Sequence, residues 1–176
     1  MRDEWDAVVL AGGRGSRLGG VDKAAVRIGG RTLLEHALDA VRGAGRVVVV
    51  GPEKDVPGVL WTREDPPGGG PAAGVAAGLR HVRADVVVVL AVDQPGVTAS
   101  TVERLLATGA PAVLVDEDGR SQWLAGAWRT DRLRTALPDD PHGVSMRSVL
   151  GPLDPVPVVA LPGEARDVDT PADLGG

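Results

Sequence analysis

The stretch Ala7-Val-Val-Leu-Ala-Gly-Gly-Arg-Gly-Ser-Arg-Leu-Gly-Gly-Val-Asp-Lys23 joins an apolar run to a glycine-rich loop that carries Arg14, Arg17 and Lys23. The run Ala7–Ala11 is continuous rather than alternating, which is typical of a strand buried on both faces of a parallel sheet. Glycines let backbone N–H groups turn toward a ligand, and arginine and lysine suit a polyphosphate. The stretch therefore predicts a phosphate-binding loop after a buried strand. A flexible turn with solvated charges is the alternative.

Apolar runs and helical patterns alternate along the rest of the chain. Further strands are predicted at Val47–Val50, Leu60–Thr62, Asp85–Val92, Ala112–Val115, Leu124–Trp128 and Val156–Leu161. Helices are predicted at Leu33–Gly43, Pro71–Arg83, Thr98–Thr108, Arg132–Leu137 and Ser145–Leu150, with a further helix starting near Thr170. This alternation predicts an α/β fold with a mainly parallel sheet. We expect a single-domain, Rossmann-like, three-layer α/β/α arrangement over residues 1–176.

Three loops follow predicted strands and are candidates for one shared site. They are the loop from Gly12, the segment Arg63–Pro71, and Asp93-Gln-Pro95. In open sheets of this type, ligands bind outside the carboxyl ends of the strands. The sequence therefore predicts that these three segments converge at one edge of the sheet.

Composition excludes several classes of function. The chain has 176 residues, of which 43% are hydrophobic, and it contains no cysteine, so disulfides and thiolate chemistry are excluded. The three histidines lack the spacing of paired metal ligands, so a bound metal is expected to be a hard ion such as Mg²⁺. A net charge of −5 argues against nucleic-acid binding, and no apolar run approaches a membrane span. The acidic amino terminus is not a signal peptide, so we expect a cytoplasmic protein.

The glycine-rich loop matches neither common phosphate-binding motif. A Walker loop ends in Gly-Lys-Ser/Thr, but Asp22 precedes Lys23 and Ala24 follows it. The dinucleotide fingerprint Gly-x-Gly-x-x-Gly requires glycine where Leu18 stands, which disfavours an NAD(P) oxidoreductase. The remaining pattern is Leu-Ala-Gly-Gly-x-x-x-Arg-Leu-Gly-x-x-Asp-Lys.

This pattern resembles the NTP-transferase superfamily, and most closely the molybdenum cofactor guanylyltransferases. The resemblance continues in order through Gly29-Gly-Arg-Thr-Leu33, Glu64-Asp65, Gly70-Pro71-Ala-Ala-Gly74, Val92-Asp93-Gln-Pro95, Gln122-Trp-Leu-Ala-Gly-Ala-Trp-Arg129 and Asp167-Val-Asp-Thr-Pro-Ala-Asp-Leu174. It implies a fold of the nucleotide-diphospho-sugar transferase type. It also implies transfer of GMP from GTP to molybdopterin, with molybdoenzymes or their chaperones as possible partners.

The resemblance assigns roles to particular residues. Nucleotide binding falls to Leu10, Ala11, Gly12, Gly13, Lys23, Asp65 and Asp93, and catalysis to Arg17, Lys23 and Asp93. Asp93 would bind Mg²⁺, although it could instead cap the turn before a proline. Asp65 could likewise start a turn rather than contact the base or ribose.

The carboxylates of Asp167 and Asp169 alternate along an extended segment, so both can face the same way. They would complete a metal site or orient the second substrate. Asp169 could equally do no more than cap the final helix.

The choice of base stays open at this level. Leu10-Ala-Gly-Gly13 is the guanylyl version of the loop, and Gly12 would leave space beside the base that an alanine methyl would fill. In contrast, Asp93-Gln-Pro95 and Asp167-x-Asp169 look more like cytidylyl relatives, and Gly51-Pro52 stands where an asparagine is common. The alternatives are CTP-dependent molybdopterin cytidylyl transfer, guanylyl transfer to another small-molecule phosphate, and an NTP-binding regulatory domain without turnover.

Overall fold

The computed structural model describes residues 4–12, 17–18 and 21–168. In chain order, the strands are β1 (Trp5–Leu10), β2 (Arg17–Leu18), β3 (Val21–Asp22), β4 (Arg27–Ile28), β5 (Arg31–Thr32), β6 (Val47–Val50), β7 (Leu60–Thr62), β8 (Val86–Ala91), β9 (Ala112–Val115), β10 (Ser121–Arg129) and β11 (Val156–Val159). The α-helices are α1 (Leu33–Ala40), α2 (Pro71–Leu79), α3 (Ala99–Ala107), α4 (Thr130–Ala136) and α5 (Met146–Leu150). Two short 3₁₀ turns cover Lys23–Ala25 and Gly151–Leu153.

Seven strands form one sheet in the order β11-β9-β10-β8-β1-β6-β7. Strand β1 pairs in parallel with β6 and β8, β6 with β7, and β11 with β9. Strand β10 pairs antiparallel with both β8 and β9. The predicted mainly parallel sheet is confirmed, and the reversed β10 brings its amino end to the edge where the parallel strands end.

Helices cover both faces of the sheet, as predicted for a three-layer fold. On β1, Ala7 and Val9 point into the core shared with α1 and α3, whereas Val8 and Leu10 point into the core shared with α2, α4 and α5. The strand is therefore apolar at consecutive positions because both of its faces are buried. No helix in the described part of the chain is long and apolar enough to cross a membrane.

The boundaries of several elements differ from the prediction. Helix α1 ends at Ala40 because the chain turns there toward the sheet, where Gly45 N donates to Trp5 O at 2.8 Å. Helix α2 ends at Leu79, β10 is longer than predicted, and β11 ends at Val159. The two hairpins formed by β2–β3 and β4–β5 were not predicted, since strands of two residues are too short to show a period.

Helix α2 packs unusually close to the sheet because small residues face β1 and β6. A Cβ atom on Gly78 would lie 2.6 Å from Val8 Cγ1 and 3.2 Å from Val50 Cγ2. A Cβ atom on Gly74 would lie 3.2 Å from Leu10 Cδ2. This close packing fixes the position of the helix, whose first turns lie against the carboxyl ends of β1 and β6.

We predict that Gly78→Ala destabilises the protein by about 1–3 kcal/mol, because the new methyl group overlaps Val8. The loss should appear although alanine favours a helix over glycine by about 1 kcal/mol. Urea denaturation measures the free energy of unfolding. The matched comparison is Gly74→Ala on the same helix, which gains the same helix propensity but brings a Cβ atom only to 3.2 Å from the movable end of the Leu10 side chain, so the loss should be smaller. Equal stability of the two variants would contradict the packing argument.

Candidate active site

The polar loops of the chain meet at the carboxyl edge of the parallel strands. Gly12 follows β1, Gly51 follows β6, Asp65 lies in the loop after β7, and Asp93 follows β8. Neighbouring strands lie about 4.8 Å apart, so the ends of β7 and β8, which precede Asp65 and Asp93, are about 14 Å apart along this edge. The three segments that the sequence predicts to converge therefore share one edge, with room for an extended ligand between them.

Gly12 and Gly51 approach each other backbone to backbone. A Cβ atom on Gly12 would lie 3.0 Å from Gly51 Cα and 3.5 Å from Pro52 Cδ. A Cβ atom on Gly51, whose φ is +154°, would lie 3.0 Å from both Ala11 C and Gly12 N. The side of Gly12 that a methyl group would occupy therefore faces this neighbouring loop, and not the open space that sequence reasoning assumed. The glycine pair lets the loops after β1 and β6 pack together.

Lys23 is buried, with 5% of its surface exposed, at the start of the first 3₁₀ turn. The residue before it, Asp22, caps this turn by accepting a hydrogen bond from Ala24 N at 3.1 Å. The same carboxylate forms an ion pair with Lys54, which comes from the loop after β6. Asp22 thus ties the glycine-rich loop to the β6 loop and fixes the backbone from which Lys23 projects.

Asp65 is exposed, whereas its neighbour Glu64 is buried. Glu64 Oε1 accepts a hydrogen bond from Gly68 N at 3.2 Å and so shapes the glycine- and proline-rich loop before α2. His142 packs against this loop, since a Cβ atom on Gly69 would lie 2.6 Å from His142 Nδ1, and Gly143 N donates to Gly69 O at 2.9 Å. His142 therefore has a packing role that the sequence did not indicate.

Asp93 and Asp167 belong to adjacent segments although 74 residues of sequence separate them. Val168 N donates to Asp93 O at 2.8 Å, and the Val168 side chain is buried in the core. Asp93 is half-buried and Asp167 is exposed at this corner of the sheet edge. The backbone pairing thus brings the segments that carry these two carboxylates together at one end of the sheet.

Two amide side chains connect Asp167 to the neighbouring strands. Gln94 Nε2 donates to Asp167 Oδ1 and to Gln122 Oε1, both at 3.0 Å. Gln122 Nε2 in turn donates to Asp116 Oδ2 at 3.1 Å and to Arg120 O at 3.0 Å. Gln122 reaches this position because β10 runs antiparallel and its register with β9 shifts between Gln122 and Gly126. We refer to Gln94 and Gln122 below as the amide pair.

Glu164 anchors the segment that carries Asp167 to helix α3. Its carboxylate accepts hydrogen bonds from Arg104 Nη1 at 2.6 Å and Nη2 at 3.0 Å, from Thr101 Oγ1 at 2.5 Å and from Leu161 N at 3.0 Å. The turn also packs on Gly96, where a Cβ atom would lie 2.4 Å from Gly163 O. A charged group that is 6% exposed is tolerated here because both of its carboxylate oxygens have donors.

The carboxylates at this corner suit Mg²⁺. Beside phosphate groups, Mg²⁺ usually takes only one or two protein carboxylates. Asp93 and Asp167 offer such oxygens on two hydrogen-bonded segments. Within residues 4–12, 17–18 and 21–168, no group of three or more His, Cys, Asp or Glu side chains surrounds a possible metal position. The donor set fits an ion shared with phosphates and does not fit one enclosed by these residues alone.

A cavity of about 890 Å³ lies at the opposite, amino edge of the sheet, between α1 and α3. Its lining includes Trp5, Arg42, Val102, Leu106 and Arg129. Among the residues that the structure describes, none that the sequence predicts for nucleotide binding or catalysis contributes to it.

The family model for the MobA-like NTP transferase domain matches residues 7–156. The chain belongs to this family. The resemblance seen in the sequence motifs is confirmed, and the match includes the glycine-rich loop, Asp65 and Asp93.

A curated relative is similar in sequence to this MobA-like domain. The molybdenum cofactor guanylyltransferase of Acidiphilium cryptum is 39% identical over 133 residues, which cover 69% of this chain and 65% of that protein. The chain thus aligns with less than two thirds of that relative's length.

Two solved structures share the fold. Molybdopterin-guanine dinucleotide biosynthesis protein A from Archaeoglobus fulgidus has a TM-score of 0.70 at 22% identity, covering 97% of this chain and 95% of its own. The 2-C-methyl-D-erythritol 4-phosphate cytidylyltransferase from Thermus thermophilus has a TM-score of 0.71 at 23% identity, covering 96% and 94%. The MobA-like domain therefore has the predicted nucleotide-diphospho-sugar transferase type of fold.

Some predicted site residues lie outside the described part of the chain. These are Gly13, Asp169 and the helix start at Thr170, and of Arg17 only the backbone of β2 is described. The sequence analysis assigned no role to Gln94, Gln122 or Glu164, although Gln94 lies in the motif Val92–Pro95 and Gln122 in the motif Gln122–Arg129. Their rarity could have drawn attention to the two glutamines, since they are the only carboxamide side chains in the sequence.

We predict that Glu164→Gln lowers the free energy of unfolding by about 1–3 kcal/mol near pH 7, because it removes the pairing with Arg104. Burial alone would raise the pKa of Glu164, but hydrogen bonds from Arg104, Thr101 and Leu161 N outweigh it and hold the pKa below its usual 4.5. Since the folded-state pKa lies below the unfolded one, this stabilisation is present above the unfolded pKa and is lost as the pH falls through the folded pKa.

Urea denaturation near pH 7 and near pH 3 checks this expectation. The difference between wild type and Glu164→Gln should shrink as the pH is lowered, because the Glu164 carboxyl group then becomes protonated in the folded protein as well. A difference of the same size at both pH values would show that the ionised carboxylate does not stabilise the fold.

Proposed function

We propose that the chain catalyses Mg²⁺-dependent transfer of GMP from GTP to molybdopterin, producing the molybdenum guanine dinucleotide cofactor and pyrophosphate. The observation that carries the proposal is the convergence of Gly12, Asp93 and Asp167 at one sheet edge in a MobA-like NTP transferase domain. The relative from Acidiphilium cryptum bears the guanylyltransferase name, which favours GTP over CTP. Molybdoenzymes or their chaperones would then receive the product.

The chain's own residues would hold the triphosphate without forming a covalent bond to it. Backbone N–H groups of the loop that starts at Gly12 would contact the phosphates, and Arg17 and Lys23 would neutralise their charge. Asp65, near the other end of the edge, would contact the base or the ribose. Such an arrangement acts by positioning and by charge neutralisation, which are the main contributions in phosphoryl-group chemistry.

In the reaction, a phosphate oxygen of molybdopterin forms a bond to the α-phosphorus of GTP. The bond between the α-phosphorus and the α–β bridging oxygen breaks, and pyrophosphate leaves with that electron pair. The attacking phosphate is already ionised, so the site needs no general base. Asp93 would hold the Mg²⁺, with Asp167 and Asp169 as candidates for completing its shell or orienting molybdopterin, and the ion would supply charge neutralisation and polarisation of the α-phosphate.

The test measures pyrophosphate release with Mg²⁺, molybdopterin and each of the four ribonucleoside triphosphates in turn. Release with GTP and a mass matching the guanine dinucleotide product are expected. Release with CTP alone would replace the proposal by cytidylyl transfer. Tight nucleotide binding without any release would leave an NTP-binding regulatory domain as the function.

We predict that Asp93→Asn abolishes turnover, because the amide removes the negative charge that would hold the cation. The matched control is Asp85→Asn, since the exposed Asp85 precedes the amino end of the same strand β8. Turnover of both variants is compared after circular dichroism shows that they fold. Full activity of Asp93→Asn would remove Asp93 from the mechanism.

A further inference from the structure

The chain contains two glutamines and no asparagine, and its two carboxamide side chains hydrogen-bond to each other at the carboxyl edge. Gln94 comes from the turn after β8, and Gln122 from the amino end of β10. These segments are 28 residues apart in sequence. The contact therefore depends on the tertiary fold, and it lies directly beside Asp93.

Carboxylates at both ends determine how the two amides point. A carboxylate only accepts hydrogen bonds, so the atom of Gln94 that contacts Asp167 must be Nε2, and the atom of Gln122 that contacts Asp116 must be its own Nε2. Gln122 Oε1 is then left to accept the second N–H of Gln94. Gln94 thus donates to both Asp167 and Gln122, and Gln122 donates onward to Asp116, so each amide has one orientation that its partners determine.

The position of Gln94 costs free energy of folding. Its side chain is only 8% exposed, and within the described part of the chain its Oε1 is buried without a hydrogen-bond partner. An unsatisfied buried acceptor costs about 1–3 kcal/mol, which a hydrophobic side chain of similar size would avoid. Core stability alone therefore does not explain a glutamine here, whereas orienting Asp167 does.

We propose that the amide pair positions the Asp167 carboxylate so that, together with Asp93, it binds the divalent cation that accompanies the nucleotide. This inference rests on the proposed nucleotidyl transfer. Gln94 is a positioning residue that acts through Asp167, and Gln122 acts through Gln94. Because an amide is neutral, its hydrogen bond orients the carboxylate without removing the negative charge that a cation requires.

The test compares GTP binding in EDTA with GTP binding in saturating Mg²⁺, by calorimetry and without molybdopterin. The ratio of the two dissociation constants measures how much the cation contributes to nucleotide binding. Gln94→Met keeps the side chain's size but removes both N–H donors. We expect it to reduce the ratio by about tenfold or more, as loss of residues that orient metal ligands usually does, while the dissociation constant in EDTA stays unchanged.

Two further variants separate positioning from structural damage. Gln122→Met should reduce the ratio in the same direction but less, because it contacts Gln94 and not Asp167. Trp128→Phe is the control, since Trp128 Nε1 is also buried without a partner among the described residues but lies in the core away from this edge. It should leave the ratio at the wild-type value.

A double-mutant cycle decides whether Gln94 acts through Asp167. In an Asp167→Asn background, Gln94→Met should cause no further loss. Additive losses, or a wild-type ratio in folded Gln94→Met protein, would overturn the proposal, as would equal GTP binding with and without Mg²⁺ in the wild type. Absence of pyrophosphate release in a protein that shows the expected ratios would instead refute the proposed reaction and leave the positioning role in place.

Discussion

Parallel pairing of β1 with both β6 and β8 determines where the chain can place its polar loops. Because the three strands run in the same direction, Gly12, Gly51 and Asp93 all emerge at one edge. Strand β1 is buried on both faces, so a slip of one residue would exchange the side chains of its two faces and disrupt the packing of both cores. The site is thus built on strand ends whose positions the hydrophobic core fixes.

The second half of the chain completes this edge from a distance. Strand β10 is antiparallel to both β8 and β9. Its amino end, which carries Gln122, therefore lies beside the carboxyl ends of these two strands. The segment after β11 is anchored by Glu164 on α3 and by the Val168–Asp93 backbone hydrogen bond. These long-range contacts turn the loop that follows β8 into a corner with two carboxylates.

Much of the fold could be predicted from the sequence because a strand buried on both faces of a parallel sheet consists of consecutive apolar residues, here mostly valine and leucine. Val47–Val50, Leu60–Thr62 and Ala112–Val115 have the predicted bounds. The direction of β10 could not be predicted, since an apolar run carries no information about the strand beside it. The sequence placed Asp93 at a strand end correctly, but the neighbour of Gly12 was unknown until the β6 loop was positioned.

The contacts that orient the site were the least predictable part. Gln94, Gln122 and Glu164 are polar residues in or beside loops, and each depends on a partner 28 to 73 residues away. No local pattern distinguishes such residues from solvated ones. The only indication in the sequence was the small number of carboxamide side chains, which made Gln94 and Gln122 stand out.

The central claim is that the carboxyl edge of the sheet binds GTP and Mg²⁺. A crystal structure of the chain with Mg²⁺ and a GTP analogue that carries a methylene group between the α- and β-phosphorus atoms tests it most directly. The triphosphate should lie between Gly12 and Asp93, with the base toward Asp65 and the cation on Asp93. A nucleotide bound in the cavity between α1 and α3, or a cation away from Asp93, would contradict the claim.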